Sequence, residues 1–403
     1  MTEKIQVSLL KTKGDLSIGC IRLNKPKALN ALDLDMVQAM QSQLDAWRVD
    51  DSIGAVFIDG EGDRAFCAGG DIVSMYQAMA NERDPDSNKL PEFMAQFFEQ
   101  EYRLDYTIHA FPKPVIAWGN GVIMGGGLGV FAGASHKVVT ETARVAMPEI
   151  TIGLFPDVGA SYFLNKMPKG VGKFLGLSAS SINAVDCITV GLADYFLLND
   201  DKTAFLKALT GISSLTKASI GSIIEQVHSD VNHDNKDANS NAQGLWATLN
   251  GNLSPISAEL EALAPLQQVN DITVFLKQLT HNHPNNKMLM KACSSLQNGS
   301  PITARLVIEQ LKRAEKLSLA ECLQMELGMA YQCSITGEFQ EGVRALLIDK
   351  DNQPKWLFKQ DKEIPDDFIE AHFSHHPHQH SESDSALKNP LGSLVAEYGE
   401  AHA

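Results

Sequence analysis

The sequence has no CxxC pair. Its six cysteines, Cys20, Cys67, Cys187, Cys293, Cys322 and Cys333, are spread along 403 residues without regular spacing. That excludes a zinc knuckle and a disulfide framework and fits a reducing compartment. It has no basic excess either: 34 Lys and Arg stand against 49 Asp and Glu, for a formal charge of −15. A surface that tracks phosphates needs clustered cations, so nucleic-acid and anionic-membrane binding are not expected, although a local basic patch can still hold a small anion. No uninterrupted apolar stretch approaches the roughly 20 residues of a bilayer span. The first fifteen residues show neither an apolar run behind basic residues nor an Arg/Ser-rich amphipathic pattern, so secretion and organelle import are not expected and a soluble cytoplasmic protein is.

What is present is an ordinary globular composition, 44% hydrophobic and 21% charged, enough to bury a sizeable core in two or three units. Up to about residue 200, short β-branched runs alternate with amphipathic segments. Residues 6–10 and 16–23 read as a hairpin, and 30–47 carry helical spacing in Leu34, Val37, Met40, Leu44 and Trp47. Residues 53–59, 114–118 and 136–140 read as strands. Strands alternating with helices at this spacing imply parallel pairing through crossovers, an α/β fold. Beyond residue 200 the pattern turns helical, with 301–335 one long helical region or two helices. Residues 228–243 have the composition of a surface loop or linker. Five histidines, His372, His375, His376, His378 and His380, read as part of a mobile polar tail, because no carboxylate or cysteine at ligand spacing completes a metal shell.

Three segments could carry chemistry. The glycine-rich run at 119–129 completes no GxGxxG register and no GxxxxGK[ST], so it is not a nucleotide turn. It leads from a strand into a helix starting near Gly125, Gly126 and Gly127, where backbone N–H groups are unpaired and a substrate can come close; tight helix packing alone would use the same glycines. The segment 64–72 repeats the strand-to-helix pattern, with Asp71 read as a capping residue in preference to a catalytic one. One N–H from each turn, meeting at one carbonyl oxygen, would make an oxyanion hole. In 147–159, Glu149 and Asp157 sit eight residues apart among apolar side chains, a setting that raises carboxyl pKa values toward acid/base use.

Residues 24–32, 65–72, 119–129 and 148–159 together resemble the enoyl-CoA hydratase/isomerase (crotonase) superfamily. Residues 153–159, 341–351 and 354–356 are similar to its 3-hydroxyisobutyryl-CoA hydrolase branch. The resemblance covers about residues 5–360. It implies a crotonase-like spiral of ββα units with a helical C-terminal region: a core over 1–200, a helical region over 201–360 covering the active site, and a polar His-rich tail over 361–403. It implies hydrolysis of 3-hydroxyisobutyryl-CoA to the free acid and CoA, a step of valine catabolism, with an acyl-CoA substrate, CoA entering only as part of that substrate, no metal or other cofactor, and a trimer or hexamer as the possible homo-oligomer. Hydration or isomerisation of an enoyl-CoA, and acyl-CoA binding without catalysis, stand as alternatives.

By the same resemblance, Gly70 and Gly126 match the oxyanion-hole amides, Glu149 the catalytic glutamate and Asp157 the acid that orients a 3-hydroxyl. Glu101 matches a further substrate-site carboxylate; on the residues alone it reads equally well as part of a solvated helix face. Ala28, Ala68 and Asp71 fall in segments that lie along CoA, and Arg344, Lys350 and Lys355 are candidates for its phosphates, or ordinary surface charge. Hydratases carry a second glutamate three residues after the middle glycine of the GGG run. Here that position is Gly129, which disfavours two-glutamate hydration and leaves hydrolysis, which needs a polarised carbonyl and one base or nucleophile. There is no GxSxG elbow to support a serine hydrolase.

Overall fold

A computed structural model describes residues 3–82, 89–234, 256–374 and 389–401. Strands β1 (Ile5–Lys11) and β2 (Ser17–Leu23) form the antiparallel hairpin. Helix α1 (Leu34–Arg48) follows, started by Asp33, whose side chain accepts from the Met36 N–H, an N-cap. Strands β3 (Ile53–Gly60) and β4 (Ala65–Cys67) lead to α2 (Ile72–Glu82) and α3 (Glu92–His109). Next come β5 (Val115–Gly119), β6 (Val122–Met124) and α4 (Gly126–Gly133), then β7 (His136–Val139), β8 (Arg144–Ala146) and α5 (Ala160–Lys166), with β9 (Tyr195–Phe196) last.

The strands separate into two sheets. The larger runs β1-β2-β3-β5-β7-β9 and is parallel from β2 onward; the smaller runs β4-β6-β8 and is also parallel. Each of three successive units therefore places its first strand in the large sheet, its second in the small one, and then a helix. This is the spiral of ββα units that the resemblance implied.

The large sheet is buried on both faces, which is why its strands read as nearly continuous apolar runs. Val56, Ile58, Val115 and Ala117 face the main core, whereas Ala55, Phe57, Ile116 and Trp118 join Phe205, Leu209, Ile220 and Ile224 on the other side. Those last four come from helices Lys202–Thr210 and Lys217–Asp234. The second of these helices runs through the start of the segment read as a loop or linker: residues 228–234 continue it, and the rest of 228–243 lies outside the described residues. The spacing Ile220, Ile224, Val227 keeps a buried face in register, which outweighs the polar composition after it.

The main core extends from the strands into the C-terminal helices, including Leu306, Val307, Leu323, Leu327, Ile369 and Leu394. Helix Pro301–Ala314 starts at Ser300, whose side chain accepts from the Thr303 N–H, and helix Leu319–Thr336 starts with a Ser318/Glu321 capping box; both are strong N-terminal signals. His372, read from the sequence as part of a mobile tail, is instead buried in helix Asp366–Ser374, with Nδ1 2.9 Å from the Phe368 carbonyl. Phe368 and Ile369 put that helix face against the core, and His372 follows at helical spacing. The other four histidines lie outside the described residues. Among the described residues no helix is long and apolar enough to cross a membrane.

Candidate active site

The three strands of the small sheet end in three turns, and the turns converge. After β4 come Ala68, Gly69 and Gly70. Here the Leu32 N–H donates to the Gly69 carbonyl (2.8 Å) and the Asp71 N–H to the Leu32 carbonyl (2.7 Å), a bridge that leaves the Gly70 N–H out of its ladder. Asp71 caps α2, accepting from the Ser74 N–H at 3.2 Å. After β6 comes Gly125, whose φ of +47° and ψ of −132° lie where only glycine is comfortable, and then Gly126, the first residue of α4. An amide there has no intrahelical partner. A Cβ on Gly126 would lie 3.6 Å from the Gly70 nitrogen and collide with Glu101 Oε1. Two backbone amides from separate turns are thus neighbours, with a carboxyl packed against one of them.

After β8, Pro148 opens a short 3₁₀ turn, Glu149–Thr151. Glu149 Oε1 lies 3.5 Å from the Cβ position of Gly125. Asp157 follows at the end of this loop, its Oδ2 accepting from the Tyr102 hydroxyl at 2.8 Å. Tyr102 sits beside Glu101 on α3, so this helix supplies both the Glu101 carboxyl and the partner of Asp157.

Ala28, Ala68, Gly70, Asp71, Glu101, Gly126, Glu149 and Asp157 all line one cavity of about 490 Å³. Leu346 and Leu347, from a π-helical turn at Arg344–Ile348 in the C-terminal region, close one wall. The exposed cations Lys27 and Arg64 line it as well. Two other cations are already paired with acids: Lys25 with Asp33 and the cavity residue Asp71, and Arg344 with Glu341, Asp349 and Asp351.

Glu101, Glu149 and Asp157 are only 2 to 4% exposed, so Glu101 belongs to no solvated face. Burial without a cation disfavours ionised carboxylates, and like charges disfavour it again. Burial, then the Asp157 charge, raises Glu149 well above the ordinary glutamate range. Glu101 is raised well above that range for the same two reasons. Burial lifts Asp157 to about 7, with the Tyr102 hydrogen bond pulling the other way. The neutral, protonated forms of these acids are therefore favoured over what free carboxyls would show, unless a substrate changes their surroundings. The site therefore offers paired N–H donors beside a carbonyl-sized space, one carboxyl across from them, and a second acid with its own donor.

Position 129 explains a departure seen in the sequence. A Cβ on Gly129 would lie 2.7 Å from Asp105 Oδ1 and 2.7 Å from the Val158 Cβ. A glutamate has no room there, because Asp105 of α3 and the Asp157 loop already fill the space. Asp105 and Tyr102 were missed at the level of sequence, as were Leu346, Leu347 and Glu326, a fully buried acid in helix Leu319–Thr336. For Asp105 and Glu326 a signal existed: each is an acid on the apolar stripe of an amphipathic helix.

A model of the enoyl-CoA hydratase/isomerase family matches residues 18–373. The chain belongs to this family. The human protein named 3-hydroxyisobutyryl-CoA hydrolase, mitochondrial, is 34% identical over 373 residues, covering 92% of this chain and 89% of the relative. The Dictyostelium discoideum protein of the same name is 33% identical over 357 residues, 88% of each chain. A crystal structure of an enoyl-CoA hydratase from Rhodobacter sphaeroides superposes with a TM-score of 0.75 at 27% identity, over 93% of this chain and 98% of that one. The relatives' mitochondrial names overturn the cytoplasmic placement expected from the sequence. That expectation rested on the scattered cysteines, the lack of a bilayer-length apolar run and the first fifteen residues, the last of which lie ahead of the family match.

Proposed function

We propose that this family member hydrolyses 3-hydroxyisobutyryl-CoA, a short branched 3-hydroxyacyl-CoA thioester, to the 3-hydroxy acid and CoA, a step of valine breakdown. The observation that carries the reading is the pairing of Glu149 and Asp157 in one cavity with the Gly70 and Gly126 amides, while position 129 has no space for a hydratase-type glutamate. The thioester oxygen sits between the two amides, which stabilise charge developing on it; one such donor is worth about 10²–10³ in rate. Glu149, once the bound substrate brings it to its carboxylate form, either attacks the carbonyl carbon, expelling CoA thiolate and leaving an anhydride that water cleaves, or takes a proton from the attacking water. Asp157, steadied by Tyr102, holds the 3-hydroxyl. Hydrolysis by either route draws on CoA only as part of the substrate. Lys27 and Arg64 at the cavity edge suit its phosphates. A trimer or hexamer is the assembly proposed from the family.

The test is a comparison of two products. Incubation with 3-hydroxyisobutyryl-CoA is expected to release free thiol, and crotonyl-CoA is expected to keep its enone absorbance. Loss of the enone without thiol release would instead establish a hydratase.

A further inference from the structure

The loop that presents Asp157 is held from behind. Val158 has a φ of +56°, a left-handed conformation that is a true outlier for a β-branched residue. Such strain persists only where the surroundings over-determine it. Two side chains from the C-terminal helices do so. Glu326 accepts from the Gly159 N–H at 2.7 Å and the Ser161 N–H at 2.8 Å, satisfying two donors at the start of α5 that the helix cannot satisfy itself. Gln310, in helix Pro301–Ala314, donates through Nε2 to the Pro156 carbonyl at 2.6 Å and to Ser161 Oγ at 2.8 Å. Both side chains are essentially fully buried, and neither lines the cavity. On the other side Val158 rests against Gly129, where any Cβ would push it away. A buried acid with no cation is costly, so its place here is explained by the two N–H groups it receives.

We propose that Glu326 and Gln310 are positioning residues for Asp157: they lock residues 156–161 in the strained bend that aims its carboxyl into the cavity, and so set the preference for thioesters that carry a 3-hydroxyl. The inference rests on the role given to Asp157 under Proposed function. A displacement of about 1 Å far from the chemistry can lower a rate about 10²-fold, and here the loss falls on substrates that use Asp157.

The test uses the full chain with two variants, Glu326→Gln, which keeps shape but loses one acceptor, and Gln310→Met, which loses both donors. In each, amide hydrogen exchange over residues 157–163 is expected to quicken at least about 10-fold while exchange in the large sheet is unchanged. The ratio of kcat/KM for 3-hydroxyisobutyryl-CoA over isobutyryl-CoA is expected to fall about 10-fold or more, mostly through the hydroxylated substrate. Unchanged exchange over 157–163 in both variants overturns the clamp, and equal losses on the two thioesters overturn its link to selectivity. A wild-type protein that cleaves both thioesters equally well would overturn the Asp157 reading itself, and the exchange arm would still decide whether the clamp exists. If Glu326→Gln does not fold, Gln310→Met carries both readouts alone.

Discussion

The turns after β4, β6 and β8 and the helices Pro301–Ala314 and Leu319–Thr336 meet around residues 156–161, and they contribute in opposite ways. The turns put reactive groups into the cavity: two amides, Glu149 and Asp157. The helices put none there, yet Gln310 and Glu326 hydrogen-bond the backbone of the third turn. The first turn is tied by the Leu32 bridge and the second by Gly125 in a conformation suited to glycine. The third follows the last strand of the small sheet and contains a strained Val158, and it is held by a different part of the chain. Placement and restraint are thus divided between the two halves, and the division can be broken from either side.

The largest effect is expected in the turns. Gly126→Ala puts a methyl group into Glu101 Oε1 and disturbs one of the paired amides, so kcat/KM for the thioester should fall about 10²–10³-fold. Steady-state kinetics with an unchanged melting curve would place the loss in the site; a loss under about threefold would show that this amide is not used.

Asp157→Asn should be more selective. A drop of about 10–100-fold is expected for a 3-hydroxyacyl thioester and a smaller one for its unsubstituted analogue, on the scale of leaving a buried hydrogen-bonding group unsatisfied. Parallel kinetics on the two substrates check this, and equal losses would remove the proposed role.

The smallest effect concerns stability. Folded Glu101 and Asp157 keep protons to higher pH than their unfolded forms, Asp157 to about 7 against an ordinary 3.8. Between about pH 4 and 7 the folded state therefore binds more protons, so these groups make stability fall as pH rises, by at most about 1.4 kcal/mol per pH unit for each. Calorimetry from pH 5 to 8 should show a shallower decline in Tm for Glu101→Gln than for wild type, and identical slopes would contradict the protonated state of Glu101.

The fold of the first half was legible because both faces of the large sheet are buried, which makes β3 and β5 nearly continuous apolar runs. The three-residue strands β4, β6 and β8 were not: Ala65–Cys67 and Val122–Met124 are too short to show any period and are defined by pairing with one another. All eight site residues predicted from the sequence line the cavity; seven lie in local motifs that follow strands, and Glu101 lies within helix α3. The roles of Glu326 and Gln310 escaped because their partners are 149 to 167 residues away; the apolar stripe around Glu326 marks a buried acid but not what it holds. Glu101 stood between two readings until the packing of α3 against α4 put it beside Gly126.

The central claim is that Glu149 performs the hydrolysis, as nucleophile or as base, and both routes need its carboxylate. Glu149→Gln should fold with the same melting behaviour and lose at least about 10³-fold in kcat for thiol release from 3-hydroxyisobutyryl-CoA. Activity within about threefold of wild type would contradict the account.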